Sequence, residues 1–273
     1  MNRMDQAAGL RRFQVQSQGT RILSVFGPRE RVTAIVNLAA AAAMDGLRVL
    51  ILDASRGEVA PAFGLAARYE MIHVIEGEKS LSEAALVAPC GARVLPAARG
   101  MQMLATFGGA GIDLFEDIAR AAAPVDLILV NAEPGPAATM LQLPGRNDAL
   151  LVGIPGDDAL SSTLSRIKVL KAGHGFNRFR LMTLDSGAVA LAEKTAVIEP
   201  LARELYGAQV FAGAAIPRDP QLRHAQRACR TIFDIDDQGP AARAYAYAAS
   251  ALQQWQLAHI NPLAPHRAHP AVL

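Results

Sequence analysis

The chain has 273 residues, enough for one large α/β domain or two small ones. It is 51% hydrophobic but only 5% aromatic, so its core must be built from Ala, Val, Leu and Ile, which suits helices on a parallel sheet better than a β-sandwich. A formal charge of +2 with no Lys/Arg run leaves no nucleic-acid footprint, and two distant cysteines, Cys90 and Cys229, lack the spacing of a zinc site and read as two buried thiols in a reducing compartment.

Strands and helices alternate along the chain. An apolar run at 21–26 predicts the first strand, followed by a turn at Gly27-Pro28 and a helix over 32–44 rich in good helix formers. The next strand, 48–52, leads into Asp53. Ser80 with Glu83 three residues on has the spacing of a capping box and predicts a short helix over 80–87. A strand at 92–95, a helix at 111–123 closed by Pro124 and a strand at 126–130 follow. The second half predicts strands at 149–154, 179–184 and 209–214, with helices at 158–171, 189–206, 218–226 and 241–257. Short apolar strands separated by helices imply a doubly wound, mainly parallel sheet with both faces covered. Residues 1–18 and 259–273 read as tails around an α/β domain spanning 19–258.

In such a sheet, ligands sit at the carboxyl ends of strands. The first of these ends reads Phe26-Gly27-Pro28-Arg29-Glu30-Arg31-Val32-Thr33 and runs into Val36-Asn37-Leu38-Ala39. A phosphate-binding loop here needs glycines whose N–H groups wrap phosphate, a lysine for the terminal phosphates and a hydroxyl for magnesium. With the strand that ends on Asp53, this stretch resembles the opening of the MinD/ParA ATPases, whose loop is KGGVGKT followed by VNLA and a strand ending in DAD. The resemblance implies the P-loop NTPase fold of the SIMIBI class.

Placed on that pattern, the family's signature lysine falls on Phe26, its glycines on Gly27, Pro28 and Glu30, its phosphate lysine on Arg31 and its magnesium threonine on Val32. Thr33 takes the hydroxyl role if the match slips by one residue. The second carboxylate of DAD falls on Ser55, and the aspartate of the later D-x-x-x-G motif falls on Asn131, with Gly135 at its end. The family's adenine-contacting asparagine falls near Leu184. Read through the resemblance, Gly27, Arg31, Val32, Thr33, Asp53, Ser55, Asn131 and Gly135 are the remnant of a nucleotide site that no longer hydrolyses ATP, with no cofactor expected. Asp53 and Gly135 serve equally as plain punctuation of strand ends.

Residues 5–12 read Asp5-Gln6-Ala7-Ala8-Gly9-Leu10-Arg11-Arg12. This is similar to the DQAxxLR segment that opens the flagellar number regulators of the superfamily, the FlhG or FleN branch. There the segment forms a short helix that docks on a GTPase of the signal-recognition-particle type and stimulates GTP hydrolysis. The residue types suit that role: in a helix Asp5 can cap the start, Ala7 and Leu10 would share a face, Gln6 could orient a water, and Arg11 could pair with an acidic or phosphate group. The resemblance spans roughly residues 5–257 and implies an FlhF-like GTPase as partner, with flagellar switch or transcriptional regulator proteins as further candidates.

Two other readings stay open. A divergent but active ATPase of a flagellar, cellulose-synthesis or partition system would use Arg31, Thr33 and Asp53 with ATP and magnesium. A Rossmann-type dinucleotide enzyme fits worst, because no GxGxxG follows the first strand. Tyr245, Leu252 and Trp255 share a stripe of the last predicted helix, which offers at most a weak membrane contact because few basic residues flank it. No apolar stretch reaches the roughly 18 residues of a membrane span, and the polar start lacks the apolar run of a signal peptide. The expected place is the cytoplasm, with the inner membrane face or the cell pole as a peripheral option.

Overall fold

The computed structural model describes residues 19–122, 124–139, 141, 148–153 and 159–260. The segment carrying Asp5, Gln6, Ala7, Leu10 and Arg11 lies outside these residues. Among the described residues nine strands form a single sheet: β1 (Thr20–Phe26), β2 (Val49–Asp53), β3 (Leu86–Val87), β4 (Arg93–Pro96), β5 (Leu127–Asn131), β6 (Asp148–Gly153), β7 (Arg178–Thr183), β8 (Gln209–Ala215) and β9 (Ala258–Ile260). Their order is β3-β4-β2-β5-β1-β6-β7-β8, with β9 paired to β1. The pairs β1–β5, β1–β6, β2–β4, β2–β5, β6–β7 and β7–β8 are parallel, whereas β3 and β9 run antiparallel to their partners. The mainly parallel, doubly wound sheet expected from the apolar runs is therefore present, with β1 at its centre.

β1 divides one of its edges between two partners. Thr20, Arg21 and Ile22 pair with β9, while Val25 and Phe26 pair with β6. Side-chain alternation then sends Leu23 and Val25 to one face and Ile22 and Phe26 to the other. On the first face pack the helices α1 (Arg31–Met44) and α11 (Pro240–Ala251), with Ile35, Leu38, Tyr245 and Leu252 in the core. On the second pack α3 (Met71–Ile75), α5 (Ala98–Thr106), α6 (Gly109–Ala121), α8 (Ala159–His174) and α9 (Ala188–Tyr206). The remaining helices are α2 (Val59–Ala62), α4 (Leu81–Ala84), α7 (Pro136–Thr139) and α10 (Pro220–Arg227).

Several expectations need correction. Cys229 is exposed and Cys90 only half-buried, so the two thiols are not both in the core. The helix predicted at 80–87 stops at Ala84 and the chain turns into β3; its capping box is nonetheless present, with Ser80 N donating to Glu83 Oε2 at 2.9 Å and Glu83 N to Ser80 Oγ at 3.3 Å. The last helix ends at Ala251, a 3-10 turn covers Leu252–Gln254, and Trp255 is extended because the chain must bend back to feed β9. That return takes His259 and Ile260 into the sheet, so the α/β unit reaches past residue 258.

The return also decides the fate of the apolar stripe. Tyr245 and Leu252 are fully buried and Trp255 is 8% exposed, all three in the core shared with α1. Side chains that already face the sheet cannot enter a bilayer without unfolding α11, so the membrane contact assigned to them is withdrawn. No helix among the described residues is long and apolar enough to cross a membrane.

Candidate functional site

The strand order places the ends of β2, β5 and β1 side by side. Register sets Asn131 between Asp53 on one neighbour and Val25 on the other. All residues of these three strands are buried, so the polar groups at their ends must find partners within the protein.

They find one another. Asp53 Oδ1 accepts from Ser55 Oγ at 2.9 Å, Ser55 N at 3.3 Å and Asn131 Nδ2 at 2.8 Å, and Asp53 Oδ2 accepts from Val59 N at 2.9 Å, at the start of α2. Asn131 Nδ2 also donates to Ser55 Oγ at 2.7 Å. The Asn131 carbonyl Oδ1 accepts from Arg31 Nε at 2.7 Å. The amide orientation follows from chemistry: a guanidinium only donates and a carboxylate only accepts, so oxygen must face Arg31 and nitrogen must face Asp53.

Arg31 opens α1, is only 3% exposed and points inward. Its Nη1 donates to the carbonyls of Gly27 at 3.1 Å and Pro28 at 3.2 Å, and its Nη2 donates to Glu133 Oε1 at 2.9 Å. Two carbonyls of the β1–α1 loop thus face a cation held by the protein, whereas a phosphate-wrapping loop turns N–H groups to its ligand. Glycine is required at position 27, because a Cβ there would lie 2.7 Å from the backbone oxygen of Val152 in β6. Burial, with the nearby Arg31 charge as a lesser cause, lowers the pKa of the Arg166 guanidinium on α8.

The other predicted positions separate from this cluster. Val32 is buried in the core of the α1 face. Thr33 Oγ1 accepts a hydrogen bond from Gln226 Nε2 on α10, and its carbonyl accepts from Asn37 Nδ2 at 2.8 Å. Thr33, Asn37 and Gln226 line a cavity of 420 Å³ beside the first turns of α1. Gly135 accepts from Ala138 N at 2.9 Å and introduces α7. Leu184, where the family's asparagine was expected, is buried in the core. The sequence reading brought Arg31, Asp53, Ser55 and Asn131 together but missed Glu133 and Gln226. Glu133 lay inside the inspected D-x-x-x-G stretch, whereas nothing in the sequence around residue 226 singles out its glutamine.

No family profile matches the chain. Over 234 residues, however, it is 30% identical to the antiactivator FleN of Pseudomonas aeruginosa, covering 81% of this chain and 81% of that protein. The chain belongs to the FleN family. Its fold is that of solved MinD and ParA proteins, at much lower identity. The cell division protein MinD of Aquifex aeolicus matches with a TM-score of 0.64 and 19% identity, over 87% of this chain and 98% of that one. MinD of Pyrococcus horikoshii, solved with Mg-ADP, matches at 0.62 and 21%, over 86% and 96%. A ParA family ATPase of Chlorobium tepidum matches at 0.64 and 15%, over 86% and 99%.

The pairing in this FleN-family chain makes position 131 sensitive to a single atom change. Asn131→Asp removes both amide donors and sets a second carboxylate against Asp53. Urea unfolding should show a loss of about 3 kcal/mol, because the buried Asp53 carboxylate loses one of its donors and gains a like charge beside it. A change below about 0.5 kcal/mol, typical of a surface site, would contradict the pairing.

Proposed function

We propose that this FleN-family chain is a non-hydrolysing regulator of flagellar number, placement or assembly that acts by protein–protein contact. The observation that carries the reading is the state of Arg31: buried, at the position of the family's phosphate lysine, with donors from Nε, Nη1 and Nη2 engaged by protein acceptors. Phosphoryl transfer needs charge positioned on the transferring group and on its metal. Asp53 already receives hydrogen bonds on both oxygens, Asn131 carries no charge, and Val32 has no lone pair for magnesium. These residues do not fit Mg-ATP, so no hydrolytic step is assigned to them and no cofactor is proposed.

The alternative of a divergent ATPase needs Thr33 as the metal ligand. Its hydroxyl faces Gln226 on α10, while the Arg31 side chain faces β5, and this separation opposes that reading.

Residues 1–18 supply the activity in this proposal. The DQAxxLR-like segment, with Asp5, Gln6, Ala7, Leu10 and Arg11, is read as a docking helix for an FlhF-like GTPase of the signal-recognition-particle type. Helices this short are marginal alone, so docking and helix formation should be coupled. The relative's description as an antiactivator adds transcriptional regulators as a second class of partner, beside flagellar switch proteins.

Purified protein should show no Mg-ATP turnover above background; turnover abolished by Asp53→Ala would favour the divergent ATPase. In single-turnover assays the cognate GTPase should be accelerated by the wild-type chain at saturation. Leu10→Asp should weaken docking by placing a charge in an apolar contact. Gln6→Ala should keep docking but lose stimulation, since it removes a water-orienting amide and little area. No acceleration by the wild type, or equal acceleration by Gln6→Ala, would remove the activator role.

A further inference from the structure

Glu133 is held by two cations, Arg31 in the first turn of α1 and Arg56 in the loop that follows β2. Its Oε1 lies 2.9 Å from Arg31 Nη2 and 4.0 Å from Arg56 Nε, so the residue after Ala132 bridges the first turn of α1 and the loop that follows β2. The three side chains differ in freedom. Arg31 is 3% exposed and fixed by Asn131 and by the Gly27 and Pro28 carbonyls, whereas Glu133 is 43% exposed and Arg56 80% exposed. A fixed cation therefore meets a carboxylate arm that can turn out to solvent without breaking any other bond of Arg31.

We propose that Glu133 is the built-in occupant of an oxyanion site, with Arg31 as its fixed wall and Arg56 as its movable one. The same guanidinium donors that grip a carboxylate also grip a phosphate-class anion, which presents oxygens of similar spacing and greater charge. A tethered carboxylate is always present at high effective concentration, so it holds the site against free anions. Through Glu133 the β5–α7 loop stays tied to Arg31 and Arg56 in the absence of any ligand. This rests on the non-hydrolysing reading of the same site, because a working phosphate site could not keep its own carboxylate in place of the ligand.

The test is thermal unfolding of the full chain in orthophosphate against chloride of equal ionic strength. Glu133→Gln keeps an oxygen to accept from Arg31 but removes the charge, leaving two cations for an added anion. Its midpoint should rise by about 3 °C at phosphate roughly tenfold above its Kd, while the wild type should not move beyond the chloride control. Adding Arg56→Ala to Glu133→Gln should reduce that rise. Equal responses of wild type and Glu133→Gln, no response of either, or a response untouched by Arg56→Ala would overturn the proposal. Should Glu133→Gln not fold in chloride, refolding it with and without orthophosphate decides the matter: recovery with phosphate alone supports it, and no difference overturns it. Mg-ATP turnover by the wild type, measured on the same preparation, would contradict the non-hydrolysing reading but would leave the phosphate comparison to judge Glu133.

Discussion

The fold depends at its functional edge on one buried cation. A guanidinium taken out of water must have its donors met by well-placed acceptors, or its desolvation destabilises the protein by several kcal/mol. Arg31 meets this demand from three directions: the Gly27 and Pro28 carbonyls of its own loop, the Asn131 amide at the end of β5, and Glu133 beyond it. Asn131 carries the constraint on to Asp53 and Ser55, and Asp53 anchors the first backbone N–H of α2. One side chain at the start of α1 thereby ties the ends of β1, β5 and β2 into a single hydrogen-bonded unit.

Within the MinD/ParA fold those three strand ends are where charge and metal chemistry would be assembled. Here the groups at these positions neutralise and saturate one another. Networks of this kind rigidify a site when every member is satisfied, and removing one member leaves the others unpaired. Saturation of this kind is what the proposed non-hydrolysing role asks of these groups. The same economy recurs at the opposite end of the sheet, where the fully buried Asp148 accepts from Arg178 and Arg180 and from the backbone of Gln256, fixing the return of the chain into β9.

Much of the sheet could be read in the sequence because each central strand is a short apolar run, as in Leu127–Asn131 or Asp148–Gly153. Long helices were equally legible: the one predicted over 32–44 is Arg31–Met44, and the one predicted over 189–206 is Ala188–Tyr206, closed by Gly207 in the left-handed region. Among the short helices, Leu81–Ala84 was marked by its capping box and Pro220–Arg227 matches the stretch read over 218–226, but Val59–Ala62 and Met71–Ile75 were not legible, because tertiary contacts set them. Val59–Ala62 starts where Asp53 captures Val59 N, and Glu70, just before Met71–Ile75, is held by the Arg99 backbone and side chain. At the site, the family pattern located Arg31, Asp53, Ser55 and Asn131 but not their mutual bonds. Arg31 and Asn131 are 100 residues apart, and only the parallel pairing of β5 with β1 brings them together.

If Arg31 and its acceptors close the phosphate position, calorimetric titration of the full chain with Mg-ATP should give heats no different from dilution up to millimolar nucleotide, with the same result when magnesium is replaced by EDTA. Saturable, magnesium-dependent binding in the micromolar range would contradict this, because Glu133 would then have to yield Arg31 to the nucleotide.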